Sequence, residues 1–275
     1  MIASLKRIMK ESFGDPDWYI DFSFEYLFND NNTPVYLENG EPVSMLMLLD
    51  CEVYTNDAID RLSYVYGVST LKAFRGKGYS TKLMEFINRD TLPGVKGTLL
   101  TPAEDSLFDF YGNRGYETTF SIKEAEISVD DFSSAENVRF EKIDGSLYKR
   151  LRDNHFKATG YVSWPENIMV YMVLESEKTG GGAFKVIFDG SGNNGDFIMY
   201  RREEEHLFIK ECNLDGDKLF SAVNALLKAE GLTKAFLRLK ADSKYPGTVR
   251  PFAMGYKGVK NHNREGSGYF NLPLD

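Results

Sequence analysis

The sequence is poor in the residues that most metal and thiol chemistry needs, with two cysteines and three histidines among 275 residues. Cys51 and Cys212 lie far apart in strand-like runs, so we expect buried free thiols in a reducing compartment rather than a disulfide. No two of His155, His206 and His262 have the i, i+4 spacing of helical metal ligands. Neither a zinc site nor a Ser-His-Asp triad is indicated, and we predict that the protein uses no metal.

Long apolar runs and an excess of basic charge are also missing. No run approaches the roughly 20 apolar residues of a membrane span, and the opening segment MIASLKRIMKESF reads as an amphipathic helix without the apolar region of a signal peptide. With 41 acidic and 33 basic residues the net charge is −8, which gives no electrostatic footprint for nucleic acid. We therefore expect a cytoplasmic protein with neither a membrane nor a nucleic-acid partner, and leave a homo-oligomer open.

What the chain does contain is a large apolar and aromatic fraction, 42% and 14% of its residues, which suits a substantial core. Its length allows two domains of ordinary size. Strand and helix patterns recur on both sides of the polar, acidic stretch VDDFSSAEN. We predict an α+β protein of two tandem units, each a mixed, mostly antiparallel twisted sheet with flanking helices. The predicted bounds are 1–129 and 138–275, with a linker at 130–137.

The segment YVYGVSTLKAFRGKGYSTKLMEF, residues 64–86, runs from an apolar strand through a glycine-rich turn into an amphipathic helix. Helix N-termini attract phosphate through unpaired N–H groups, and glycines let the backbone approach an anion closely. Arg75 and Lys77 add positive charge. By itself the pattern fits a structural turn equally well, and Thr81 at the third glycine position leaves the dinucleotide fingerprint incomplete.

Two motifs in order carry a resemblance to a known family. Residues 75–80, RGKGYS, resemble the [Q/R]-x-x-G-x-[G/A] pyrophosphate loop of the GNAT-type N-acetyltransferases. One strand later, LFDFYGNRGYET is similar to the second hallmark of that family, with Tyr111, Gly115 and Tyr116 at the matching positions. Ser80 replaces the usual Gly or Ala, and Glu104 stands where many members carry Asn. The resemblance covers about residues 35 to 125.

The resemblance implies acetyl-CoA as cosubstrate, held by backbone groups of two segments. Its pyrophosphate would lie on the loop amides, and its pantetheine arm would bond like an extra strand to the preceding strand. An N–H near Val68 would polarise the thioester carbonyl, and Tyr111 would be the general acid. The implied cofactor-binding residues are Val68, Ser69, Thr70, Arg75, Gly76, Lys77, Gly78, Tyr79 and Ser80.

The general base is left unassigned. Asp50 and Glu52 on the hairpin strand and Glu104 and Asp105 before the short helix are candidates, but each also suits a solvated surface carboxylate. Proton loss through water is common in the family. Tyr111 itself has a competing interpretation as one more core aromatic.

The second unit resembles the first but without its chemistry. FAMGYKG echoes YGNRGYE, and in that register Pro251 replaces the tyrosine. Asp215 and Asp217 stand where the pyrophosphate loop would be, and they suit a helix cap while repelling phosphate. The pattern GSGNNGDFIMY…LFIKECNL followed by a helix is similar to the middle domain of the enhanced-intracellular-survival-type acetyltransferases, and because the chain stops at Asp275 we expect no sterol-carrier-like third domain.

These observations predict an acyl-CoA-dependent N-acyltransferase that moves an acetyl group from acetyl-CoA to a primary amine by direct attack in a ternary complex. The acceptor would be a small-molecule or peptide amine. The alternative is a non-catalytic CoA-binding or structural GNAT-like module. An aminoacyl-transfer enzyme would need a tRNA-binding surface, which the acidic balance disfavours.

Overall fold

The computed structural model describes residues 1–56, 58–89, 93–129, 137–158, 160–189, 195–257, 259 and 268–271. The chain forms two compact units, the first from 1–119 with 253–264 and the second from 120–252 with 265–275. This division differs from the predicted bounds for 120–129 and 253–264. The predicted linker 130–137 lies, except for Asn137, outside the described residues. The α+β class is confirmed.

The first unit places two helices before a mixed sheet and two after its third strand. Its elements are α1 (Ile2–Phe13), α2 (Asp17–Leu27), β1 (Val35–Glu38), β2 (Glu41–Tyr54), β3 (Ile59–Thr70), α3 (Tyr79–Asn88), β4 (Thr98–Leu100) and α4 (Ser106–Gly112), with a short 3-10 helix at Lys72–Phe74. Strands β1, β2 and β3 pair antiparallel, and β4 pairs parallel to β3.

The second unit has its own mixed sheet. The remaining elements are β5 (Glu117–Ser128), β6 (Val138–Lys142), α5 (Gly145–Phe156), β7 (Val162–Ser163), α6 (Glu166–Lys178), β8 (Gly182–Phe188), β9 (Phe197–Arg202), β10 (Leu207–Cys212), α7 (Gly216–Glu230), β11 (Lys234–Lys240) and β12 (Thr248–Gly255). The strand order is β5-β11-β10-β9-β8-β6, and the β10–β11 pair is parallel.

The β1–β2 hairpin turns at Asn39 and Gly40, a dipeptide that favours two-residue turns. Both residues have positive φ, 53° and 84°, which is the backbone that a two-residue type I′ turn requires. The hairpin puts Tyr36 opposite Ser44, and Ser44 is opposite Thr70. The edge strand β1 therefore reaches the level at which β3 ends.

The end of β12 belongs to the first unit. Met254 and Gly255 pair antiparallel with Leu100 and Leu99 of β4. The register that aligned FAMGYKG with YGNRGYE is therefore wrong, because Pro251 lies in a strand whereas Tyr111 lies in helix α4. The segments share a Gly-Tyr pair but form different secondary structure.

The core of the first unit sets the position of α3. Apolar side chains at 83, 84 and 87 of α3 follow helical spacing and pack against β2, β3, β4 and α4. The buried members of this cluster are Leu46, Val65, Leu83, Met84, Ile87, Leu100, Tyr111, Tyr116 and Met254. Burial of one face of α3 holds its first turn near the end of β3.

The two cysteines are buried and unpaired, which confirms the expectation of free thiols. Burial raises the pKa of both thiols, that of Cys212 to about 12. Across the part of the chain that is described, helices long and apolar enough to cross a membrane are absent.

Candidate functional site

Strand β3 bends where it leaves its neighbour. Between the pairs Met47–Tyr66 and Met45–Ser69, one residue of β2 faces two residues of β3, Gly67 and Val68. This is a β-bulge, and Gly67 has the positive φ, 62°, that such bulges favour. The bulge changes the direction of the last residues of β3.

Beyond this point β3 and β4 part. Their parallel pairing consists of Ser63–Thr98 and Tyr64–Leu99, and β4 ends at Leu100 while β3 continues to Thr70. The last part of β3, which includes Val68, therefore extends past β4. A strand edge of this kind can pair with an extended ligand.

Helix α1 supports the bulge from one side. A Cβ on Gly67 would lie 3.2 Å from the Met9 side chain. The Ser69 hydroxyl contacts the Met9 sulfur at 3.8 Å, and Ser12 donates to the Thr70 carbonyl at 3.4 Å. The contact between Met9 and Gly67 was not predicted from the sequence, although a glycine inside a strand pattern is a known signal for a bulge or a close approach.

The glycine turn that follows β3 is open to solvent. Gly76 and Gly78 have φ values of 80° and 79°, and a Cβ built on either would meet nothing within 4 Å. Residues 75–78 are exposed. Gly78 is the N-cap of α3, and no side chain caps the helix. The first N–H groups of α3 therefore face an uncovered loop, which is the arrangement that binds anions.

The two cations of the loop are partly engaged. Arg75 donates through Nε to the Thr70 carbonyl at 3.2 Å. The Lys77 ammonium lies 3.6 Å from Glu38 and 4.7 Å from the ring centre of Phe74. Both cations are exposed, so these surface contacts can exchange for an anionic ligand at little cost.

Tyr79 and Ser80 begin α3 rather than belonging to the open turn. The Tyr79 ring is buried and stacks on Tyr36 with ring centres 4.5 Å apart. A hydrogen bond to Glu38 raises the pKa of Tyr79 to about 12. The loop is therefore fixed at its helical end by an aromatic pair.

Tyr111 lies in α4 and is 8% exposed. Its ring meets Phe110 and Tyr116 edge-on, and it shares a core cluster with Val68 at the β3 bulge. Burial raises its pKa to about 12, against a smaller opposite effect of the Arg114 charge. The phenol is therefore neutral over the physiological range and retains a proton to donate.

Tyr116, five residues on, has a different environment. Asn88 donates to its hydroxyl at 3.2 Å, and Thr98 donates to Asn88 at 2.8 Å. The Tyr116 hydroxyl therefore donates to Thr98, at 2.7 Å. This closed ring of hydrogen bonds joins α3, β4 and the residue that precedes β5. Tyr116 therefore stabilises the packing of these elements.

Arg114, which follows α4, connects that helix to the first turn of α3, a contact that was not predicted from the sequence. Its guanidinium donates to the Thr81 hydroxyl at 2.6 Å and to the Phe110 carbonyl at 2.5 Å, and it lies 3.4 Å from the ring centre of Phe110. Thr81, the residue at the third glycine position, thus joins the first turn of α3 to α4. Tyr111 precedes Arg114 by three residues, which is about one helical turn.

The candidate bases lie on the surface. Asp50 and Glu52 are exposed on β2, and Asp50 pairs with Arg61 at 3.6 Å. Glu104 and Asp105 are exposed ahead of α4. None of the four is marked out by burial as a base. The described residues also contain no group of three or more His, Cys, Asp or Glu that could hold a metal.

The second unit differs at the equivalent helix start. Asp215 is the N-cap of α7 and accepts from the Gly216 N–H at 2.9 Å, while Asp217 lies in the first turn. The carboxylates supply the negative charge that an anion would otherwise bring. The predicted capping role of Asp215 is confirmed.

Strand β10, which precedes α7, also has an irregularity, at Lys210. Lys210 and Glu211 are both fully buried. Lys210 pairs with Glu175 at 2.5 Å, and Glu211 with Arg152 at 2.9 Å. The Asn271 side chain donates to the Lys210 carbonyl at 2.8 Å. Paired polar side chains therefore fill the space beside this strand.

Comparison with known proteins agrees with this geometry. Residues 2–119 match the family described as "Acetyltransferase (GNAT) domain". The comparison with curated proteins found no match.

Solved structures resemble the chain over nearly its whole length. A conserved protein of Enterococcus faecalis V583 has a TM-score of 0.73 at 15% identity, covering 96% of this chain and 72% of that one. A GCN5-related N-acetyltransferase from Kribbella flavida has a TM-score of 0.68 at 16% identity, with coverages of 94% and 70%. Eis1 from Mycobacterium abscessus has a TM-score of 0.64 at 12% identity, with coverages of 93% and 70%.

Residues 2–119 thus match the GNAT acetyltransferase family, and the chain shares its fold with solved structures that include GCN5-related N-acetyltransferases. The recognition made from the sequence, including its likeness to the enhanced-intracellular-survival type, is confirmed. Acyl transfer is the general function that the family match supports. The individual cofactor-binding and catalytic residues stay predictions.

Proposed function

We propose that the protein transfers an acetyl group from acetyl-CoA to a primary amine by direct attack in a ternary complex. The observation that carries this proposal is the uncapped N-terminus of α3. It is preceded by two open glycines at the end of β3, inside the segment that matches the GNAT family.

The residues present fit acetyl-CoA. Gly76 and Gly78 are exposed and have the backbone conformation that allows close approach of an anion, and a Cβ on either would meet nothing within 4 Å. Arg75 and Lys77 supply positive charge to a diphosphate. The end of β3, at Val68, extends past β4 and offers backbone groups to the pantetheine amides, with Ser69 and Thr70 beside it.

When bound, acetyl-CoA supplies an acyl group activated as a thioester. The protein must donate a proton to the sulfur of CoA as the thiolate leaves. Tyr111 Oη fits this task because burial keeps the phenol protonated, and its helix is held to the first turn of α3 through Arg114 and Thr81. The amine must reach the site as the free base, and its proton would leave through water or an exposed carboxylate.

The acceptor is proposed to be a small-molecule or peptide amine. A rival function is a CoA-binding module without turnover. Release of free CoA thiol, measured with a thiol reagent over a panel of amines, distinguishes the two. Acetyl-CoA binding with amine-dependent thiol release supports the enzyme, and binding without release for every amine supports the rival.

One acetyl-CoA is expected to bind per chain. The start of α3 is uncapped, whereas Asp215 caps the equivalent α7 with its own carboxylate. Isothermal titration calorimetry should give a stoichiometry of about one, because the Asp215 and Asp217 carboxylates at the start of α7 repel an anion. A stoichiometry of two would contradict this difference between the units.

The pH dependence of kcat/KM should have a rising limb only. The amine gains reactivity as it loses its proton, and Tyr111 remains protonated below its pKa of about 12. We expect kcat/KM to rise with pH and then level off, with no fall attributable to the phenol below roughly pH 11. A descending limb near pH 9 that disappeared in Tyr111→Phe would contradict the raised pKa.

A further inference from the structure

The second unit contains a counterpart of the strand edge at the end of β3. Strands β10 and β11 pair in parallel only as far as Ile209 and Leu237, although both strands continue beyond these residues. The irregularity of β10 follows at Lys210, and helix α7 begins after a short loop. A bulge that lies past the last parallel pair and ahead of a helix is also what β3 has at Val68. The main chain at Lys210 therefore takes the place in the second sheet that Val68 takes in the first.

A segment of the chain itself lies at this point, residues 268–271 with the sequence GYFN. Its last three residues are buried. The side chain of Asn271 donates to the carbonyl of Lys210 at 2.8 Å. The second unit thus satisfies the main chain of its own bulge with a side chain from a segment that is 61 positions away in the sequence.

Tyr269 is bound through both its main chain and its side chain. Its N–H donates to the Gly160 carbonyl at 3.1 Å, and the Val162 N–H donates to its carbonyl at 2.9 Å, which is the pairing of a short parallel strand. Its ring stacks on Phe156 with ring centres 4.0 Å apart, and its hydroxyl donates to the Glu211 carboxylate at 2.7 Å. Burial, and after it the Glu211 charge, raises the pKa of Tyr269 well above its usual value, so the phenol remains a donor.

The buried ion pair of Arg152 and Glu211 uses the segment to complete its hydrogen bonds. Arg152 donates through Nη2 to the Asn271 carbonyl at 3.1 Å. Glu211 accepts from Tyr269 in addition to Tyr148, whose hydroxyl lies 2.8 Å from it. A buried ion pair is stable only when its remaining donors and acceptors are satisfied as well. Whatever fills this place must therefore offer a hydroxyl donor to the carboxylate and a carbonyl acceptor to the guanidinium.

We propose that the second unit has a peptide-binding groove for an extended Tyr-x-Asn peptide, and that residues 268–271 are the ligand of this groove in cis. Main-chain pairing supplies affinity, and the phenol and amide contacts supply selectivity. Because the ligand is part of the same chain, its effective concentration is on the order of millimolar, and dilute free peptide cannot displace it. The groove is lined by Arg152, Phe156, Gly160, Val162, Lys210 and Glu211.

The test measures the binding of a fluorescein-labelled peptide, SGYFNL, to variants of the whole chain by fluorescence anisotropy. Tyr269→Ala removes the ring and the hydroxyl of the ligand in cis. The peptide should then bind one to one, at least about tenfold more tightly than to wild-type protein. A peptide with alanine in place of both its tyrosine and its asparagine should not bind to Tyr269→Ala, because it offers neither the phenol nor the amide.

Tyr148→Phe is the matched control. It deletes a phenol that donates to the same Glu211 carboxylate, at 2.8 Å, but that belongs to helix α5 and not to the segment. The ligand in cis stays in place in this variant, so the peptide should bind no better than to wild-type protein.

Tyr269→Phe keeps the ring and decides the matter if Tyr269→Ala does not fold. The Val162 amide, whose acceptor is the carbonyl of residue 269, should exchange its hydrogen at least about tenfold faster in Tyr269→Phe than in Tyr148→Phe. Millimolar peptide should slow that exchange again.

A folded Tyr269→Ala that did not bind the peptide would overturn this inference. Equal peptide affinity of wild type, Tyr148→Phe and Tyr269→Ala would also overturn it, as would a Val162 exchange rate in Tyr269→Phe that the peptide left unchanged. None of these measurements uses acetyl-CoA, so they leave the proposed function to its own tests.

Discussion

Gly78→Glu is expected to weaken acetyl-CoA binding on the order of a thousandfold, because it places a carboxylate where the diphosphate belongs. Gly78 is the N-cap of α3 and has a φ of 79°. A glutamate there would accept the free N–H groups of the helix start, as Asp215 does in the second unit. Calorimetry with acetyl-CoA measures the loss.

Two controls separate charge from backbone strain. Gly78→Ala adds the strain of a left-handed residue, about 1–2 kcal/mol of stability, without adding a charge. Gly94→Glu adds the same charge at a position with a φ of 72° and open space around its Cβ. Binding should be largely retained in both. If Gly78→Glu still bound acetyl-CoA, the glycine turn would not be the pyrophosphate-binding loop, and the proposed function would be wrong.

Tyr111→Phe should reduce kcat by roughly a hundred- to a thousandfold while the acetyl-CoA dissociation constant changes little. The substitution keeps the ring in its cluster with Phe110 and Tyr116 and removes only the proton donor. Steady-state thiol release gives kcat, and calorimetry gives the dissociation constant. An unchanged kcat would mean that Tyr111 is a core aromatic residue and not the general acid.

Tyr116→Phe is the matched comparison, since it deletes the same hydroxyl from a neighbouring tyrosine. Its hydroxyl lies in a buried ring of hydrogen bonds with Thr98 and Asn88. Removing it should cost about 1–3 kcal/mol of unfolding free energy, because both partners lose a bond in the interior. Denaturant unfolding should show this loss, and kcat per folded molecule should be nearly unchanged. The two variants thus separate chemistry from stability.

Parts of the candidate site were predictable because their signals are local. A strand pattern, two glycines and an amphipathic helix in succession predict an anion-binding helix start, and the structure has α3 beginning directly after Gly78. The ties that hold the site together were not predictable in this way. Arg114 and Thr81 are 33 positions apart, and nothing in either neighbourhood announces their hydrogen bond.

The pairing of strands that are distant in the sequence was also not predictable from local signals. Asn39-Gly40 predicts its hairpin because the turn needs only its own two residues. The Gly-Tyr pair at 255 and 256 suggested a repeat of the Tyr111 motif, but the residues before it form β12, which adds to β4. Whether such a segment becomes a helix or a strand depends on an available strand edge, which is set by residues far away in the chain.

The sequence by itself determined the order of the helices and strands around the site, the open glycine turn and the carboxylate cap on α7. Each depends on the conformational preferences and hydrogen bonds of residues a few positions apart. Only the tertiary structure decided the opposing residues of the β3 bulge, the burial of Lys210 and Glu211, and the placement of residues 268–271 against β10. These arise from contacts between segments that are remote in sequence, and burial of a charge is stable only when its partner arrives from another element.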